Sequence, residues 1–76
     1  MTQLDVCFRY GLAPGEPEML GISRMREVYG IRSVRFNEAE QTVTVEYDAT
    51  RLTDDIVASL LRRAGIDLRE KVELVR

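Results

Sequence analysis

Apolar and polar side chains alternate from residue 3 to residue 10: Leu4, Val6, Phe8 and Tyr10 against Asp5, Cys7 and Arg9. That period of two predicts a half-buried strand with the apolar set facing the core and Cys7 on the opposite, polar face. From 18 to 29 the spacing changes. Met19, Leu20, Ile22, Met25, Val28 and Tyr29 recur every three or four residues and predict a helix with one broad apolar stripe. Gly21 inside it costs about 1 kcal/mol relative to alanine, so it is expected to serve close packing against a strand. Gly30 is expected to end the helix.

Alternation returns at Ile31 to Phe36, with Val34 and Phe36 inward and Ser33 and Arg35 outward. A polar stretch of hairpin length, residues 37–41, leads to the clearest strand, Thr42 to Tyr47. Val43, Val45 and Tyr47 point in, and Thr42, Thr44 and Glu46 point out. These two strands are expected to form an antiparallel hairpin. After a connection over 48–52, Thr53 reads as an N-cap with Asp54 and Asp55 in the first turn of a second helix. Its apolar face is Ile56, Val57, Leu60, Leu61 and Ala64; Arg62 and Arg63 sit in the last turn and Gly65 ends it. Residues 69–75 predict a final strand with Val72 and Leu74 inward, its charges (Arg69, Glu70, Lys71, Glu73) suiting a protected sheet edge.

The order is therefore strand, helix, strand, strand, helix, strand. Two amphipathic helices are available to cover one side of the sheet. The expected fold is α+β, a ferredoxin-like βαββαβ sandwich: a four-stranded antiparallel sheet with two helices on one face and the other face open. Residues 1–76 are read as one domain.

Composition narrows the function. A chain of 76 residues buries only about 60% of the surface its unfolded form exposes, which leaves little room for a deep cleft. There is no histidine and no plausible nucleophile–base pair, so an enzyme is the least expected class. A net charge of −2 with scattered arginines gives no electrostatic reason to expect nucleic acid. The open sheet face is expected to show Asp5, Cys7, Arg9, Ser33, Arg35, Thr42, Thr44 and Glu46. Phe8, Phe36 and Tyr47 are all on the inward phase, so that face has no aromatic platform for RNA bases. One cysteine, Cys7, excludes an internal disulfide. No apolar run approaches the ~20 residues of a membrane span, and the N-terminus does not read as a signal peptide. A soluble, cytoplasmic domain without membrane insertion is the expectation.

Between the first strand and the first helix lies Gly11-Leu12-Ala13-Pro14-Gly15-Glu16-Pro17. Pro17 suits the first helical position. Glu16 and Glu18 could be taken for a hard-metal pair, but two carboxylates are too few for a tight oxygen site, and complementing the helix dipole is the preferred reading. Met19 and Met25 at helical spacing read as core filler rather than soft ligands. Cys7 is a candidate reactive thiol, or half of an intermolecular metal site. The reading preferred for it is a small residue tolerated on a strand.

From about residue 4 to residue 66 the sequence resembles heavy-metal-associated (HMA) domains, the copper metallochaperone-like modules also found in metal-pumping P-type ATPases. The family pattern places Gly-Met-Thr-Cys-x-x-Cys after the first strand and Leu-x-x-Leu-Pro-Gly-Val at the end of the helix. Here those runs are Gly11 to Pro17 and Met25-Arg26-Glu27-Val28-Tyr29-Gly30-Ile31, at the same spacing. Val34-Arg35-Phe36-Asn37, Val43 to Asp48, and Ile56 to Leu60 with Ala64-Gly65-Ile66 continue the pattern. In the family, two loop thiolates bind a soft ion such as Cu(I). Here their positions are Pro14 and Pro17, Leu12 stands for the loop methionine, and Ile66 replaces a tyrosine. The resemblance implies an HMA-like scaffold without thiolate ligands and without a cofactor. It also implies an interaction surface over Leu12, Ala13, Pro14, Gly15, Glu16 and Pro17, with another HMA-like domain or a metal-transporting P-type ATPase as partner. Two alternatives stay open: metal bound between two chains through Cys7, and a small-molecule-sensing regulatory domain of the same topology.

Overall fold

The computed structural model describes residues 2–72. The elements follow in the expected order: β1 (Gln3–Tyr10), α1 (Glu16–Met25), β2 (Ile31–Asn37), β3 (Thr42–Asp48), α2 (Asp54–Arg63) and β4 (Leu68–Val72). The sheet order is β2-β3-β1-β4, with every neighbouring pair antiparallel. The fold is the ferredoxin-like α+β sandwich.

Register explains the core. Val6, Val45 and Val34 lie side by side across three strands, and so do Phe8, Val43 and Phe36. The helices cover these rows through Ile22 and Met25 of α1 and Val57, Ala58 and Leu61 of α2. Ile22, Val43, Val45, Val57 and Leu61 are completely enclosed. The ends of α2 are as the sequence predicts: the Thr53 hydroxyl accepts a hydrogen bond from the Ile56 amide at 3.3 Å, and Gly65 reverses the chain at φ +98°. β3 likewise buries Val43, Val45 and Tyr47. A bulge between Ile31 and Ser33 lets Ile31 and Val34, three apart, both face the core.

Several positions depart from expectation. α1 stops at Met25, well short of Tyr29. Beyond it the backbone bonds tighten to a spacing of three, Glu27 to Arg24 and Val28 to Met25, so Gly30 (φ +106°) opens the turn into β2 and does not cap the helix. The helix begins at Glu16, so Pro17 is its second residue. Tyr29 is exposed and lies under the Arg51 guanidinium, 4.2 Å from the ring centre. Ile56 is also exposed. Gly21 packs against Ala64 at the end of α2, not against a strand. Leu4, expected inward, is 47% exposed at the end of β1.

β4 is described over Leu68–Val72; residues 73–75 of the predicted strand, Leu74 among them, lie outside the described residues. Val72 pairs with Cys7, not with Phe8, so it shares the open face and is not part of an inward pair. Lys71 takes the helix side instead, where its ammonium meets the Asp54 carboxylate at 2.6 Å.

Candidate functional site

The β1–α1 loop is fastened at both ends by backbone bonds. The Tyr10 amide donates to the Gln41 carbonyl and the Gly11 amide to the Asp67 carbonyl, each at 2.9 Å. Gly11 sits directly beneath the Asp67–Arg69 ion pair: a Cβ there would lie 2.5 Å from Asp67 Oδ2 and 2.6 Å from Arg69 Nε. The atoms met are the ends of two flexible, partly exposed side chains, so a larger residue at this position would displace the ion pair and not the backbone.

At the far end of the loop, Gly15 is the N-cap in an extended conformation, and its carbonyl accepts from the Met19 amide. Gly15 has no side chain with which to cap. Glu18 supplies the missing half: its Oε1 accepts from the Gly15 amide at 2.7 Å. The Glu18 methylenes also rest on Gly65, where an added Cβ would be 3.1 Å from Cγ. Glu18 thus ties the start of α1 to the end of α2, while Glu16 beside it is exposed.

The loop side chains point outward. Leu12 is 72% exposed, and Ala13, Gly15 and Pro17 are exposed with it; Pro14 is half-buried. Met19 and Leu20, expected as core, are 39% and 57% exposed and extend this apolar surface along α1. Pro14, Pro17, Met19, Leu20 and Ser23 line one shallow depression. A second hollow of about 330 Å³ lies between the loop and the β2–β3 hairpin, lined by Tyr10, Ala13, Pro14, Met19, Phe36 and Glu38. The Tyr10 and Phe36 rings meet edge to face, with centroids 5.8 Å apart. Pro14 to Pro17 line the first depression and Ala13 and Pro14 the second, while Leu12 is exposed and lines neither. Sequence periodicity missed Met19 and Leu20 as lining residues.

Cys7 is elsewhere. It lies in the middle of the central strand β1, between Thr44 and Val72 on the open face. Its phase is as predicted, but it is only 5% exposed. Among the described residues, no three His, Cys, Asp or Glu side chains converge as a metal-holding group.

The perturbed ionisations lie at the other end of the sheet. The Asp48 carboxyl is held below its ordinary range, chiefly by the Thr50 hydroxyl, which donates to it at 2.7 Å. Lys71 lowers Asp54 and is itself raised by it. Burial, then the Asp54 charge, raises the Tyr47 phenol.

The fold defines the class: a small ferredoxin-like sandwich, here with exposed apolar side chains on the loop between the first strand and the first helix. No family model matches the sequence, and no match is found among curated proteins. Solved structures do resemble it. Oxidized MerP from Ralstonia metallidurans CH34 superposes with a TM-score of 0.70 at 13% identity, over 90% of this chain and 96% of its own. The yeast copper transporter domain Ccc2a, solved in apo and Cu(I)-loaded states, gives a TM-score of 0.70 at 17% identity, over 91% of this chain and 94% of its own. At these identities the shared property is the fold. Among the described residues no helix is long and apolar enough to cross a membrane.

Proposed function

We propose that the chain is an HMA-like interaction module that uses the metal-loop face for docking and has no thiolate site on it. The observation that carries this reading is the joint placement of Pro14, Pro17, Met19 and Leu20 around one shallow depression. Pro17, Met19 and Leu20 are exposed, as is Leu12 earlier in the loop, and the proline side chains offer no lone pair. Exposed apolar groups gathered in one place mark an interaction surface better than scattered ones do. The fold shared with the copper transporter domain Ccc2a supports a link to heavy-metal handling. It makes another HMA-like domain, or a metal-transporting ATPase carrying one, the partner of choice in a cytoplasmic setting.

The residues present do not fit a soft metal ion. Pro14 and Pro17 supply no sulfur, Glu18 is engaged by the Gly15 amide, and the Cys7 thiol is buried in another part of the sheet. That burial also weakens the alternative in which two Cys7 thiolates meet between chains, because such a site needs the sulfur at the surface.

Titration of the reduced protein with Cu(I), read by native mass spectrometry, tests the proposal. The wild-type monomer is expected to show no tight adduct. The double variant Pro14→Cys/Pro17→Cys is expected to take up one Cu(I). A tight wild-type adduct refutes the loss of the site. A double variant that folds and stays metal-free refutes the assignment of the two prolines to the ligand positions.

A further inference from the structure

β2 is an edge strand, paired with β3 on one side only. An edge strand of this kind is a template for another strand unless something covers it. One residue does. The Arg26 guanidinium donates from Nη2 to the Val34 carbonyl at 2.9 Å. In an antiparallel pair, a residue turns its N–H and C=O to the same side. A Val34 carbonyl engaged by a side chain therefore places the Val34 amide, and by alternation that of Phe36, on the outer edge too. The bulge between Ile31 and Ser33 breaks the regular edge on one side, which leaves Ser33 to Asn37 as the pairing-competent segment.

We propose that Arg26 is the guard of this edge and keeps β2 from pairing with β2 of a second copy of the chain. The segment is self-complementary. A two-fold axis at Arg35 would set Val34 opposite Phe36 of the other chain and join two four-stranded sheets into one of eight. Arg26 prevents this by occupying the carbonyl that the incoming strand would need. It is positioned to do so as the C-cap residue of α1, where the helix dipole favours a cation. Arg35 adds a second deterrent, since the axis would bring it against its own copy, and like charges directly opposite are destabilising.

The test separates the two arginines. Arg35→Thr removes the like charges and leaves the guard. Arg26→Met/Arg35→Thr removes both and keeps an aliphatic stem over the surface. The first is expected to remain a monomer by sedimentation equilibrium at submillimolar concentration. The second is expected to double in mass, with exchange of the Val34 and Phe36 amides slowed by about tenfold or more. Arg26→Lys/Arg35→Thr, which restores a donor, is expected to return the monomer. If the methionine variant does not fold, Arg26→Ala/Arg35→Thr takes its place. Dimerisation of Arg35→Thr by itself, a folded double variant that stays monomeric, or a dimer whose β2 amides exchange freely each overturns the proposal.

Discussion

Replacing Gly21 by alanine sets a general rule against a particular geometry. By helix propensity the change should stabilise, because glycine inside a helix is worse than alanine by about 1 kcal/mol. The structure predicts the opposite. A Cβ on Gly21 would lie 2.7 Å from the Ala64 carbonyl oxygen, 2.8 Å from Ala64 Cα and 3.0 Å from its Cβ. Comfortable carbon contacts are near 3.5–4.0 Å, so the helices must separate by several tenths of an ångström or more. Nothing there yields easily. The atoms met belong to the last turn of α2, held by the Ala64 amide bond to the Leu60 carbonyl at 3.0 Å and by the reversed backbone of Gly65 that follows.

Overpacking costs about 1–3 kcal/mol, and a backbone neighbour places this case near the top of that range. Set against the propensity gain, the net loss is about 2 kcal/mol. A domain of this length has roughly 4–11 kcal/mol in total, and each kcal/mol lowers its melting temperature by about 4–8 °C. Urea denaturation should show a lower midpoint at unchanged slope, with Tm lower by about 8–16 °C. A Gly21→Ala protein equal to or more stable than wild type would refute the claim that helix contact, rather than chance, keeps glycine at this position.

Two further outcomes follow from the other end of the molecule. Thr53→Ala removes the N-cap acceptor of α2 and should cost about 1 kcal/mol by thermal melting, with Thr53→Ser restoring most of it. For pH, Asp48 and Asp54 titrate lower when folded, so their contribution is complete above about pH 4 and is lost as the pH falls through the folded values. Lys71 and Tyr47 titrate higher when folded, so theirs is complete below about pH 10 and is lost as the pH rises through the folded values. Denaturation midpoints should therefore be flat between these limits and fall on both sides. Asp54→Asn should lower the plateau and soften both flanks, and a midpoint that rises below pH 4 would contradict the assignment.

What could be read from the sequence depended on whether apolar residues fixed a phase. β3 and α2 did so, through Val43-x-Val45-x-Tyr47 in one and a Thr53 cap followed by Val57 and Leu61 in the other. In β4 the run Arg69-Glu70-Lys71 sets no phase by itself. The face taken by Val72 was decided by pairing with β1, where the register shifts between Phe8 and Tyr10. α1 shows a different limit. Period 3.6 says which side chains can share a face, not how much of that face finds a partner. Ile22 and Met25 meet the core, while Met19 and Leu20 run past it. Cys7 fell in the expected phase and is nonetheless enclosed, because alternation assigns a face and not how well that face is covered.

The loop is where these threads meet. A small domain has little apolar surface to spare, so leaving Leu12, Met19 and Leu20 in water forgoes burial that the fold could have used. Disorder does not account for it, because the backbone around these residues is tied at Tyr10, Gly11 and Gly15. Two prolines narrow what freedom remains. A partner would therefore meet a surface already ordered, and ordering of loops and side chains is among the main costs of association. The same ties work against a metal on this loop. Glu18 already gives one oxygen, Oε1, to the Gly15 amide, so while it keeps that bond its carboxylate is not free to clamp an ion with both oxygens. Of the two carboxylates that the sequence offers beside the loop, one is already committed to the start of its own helix.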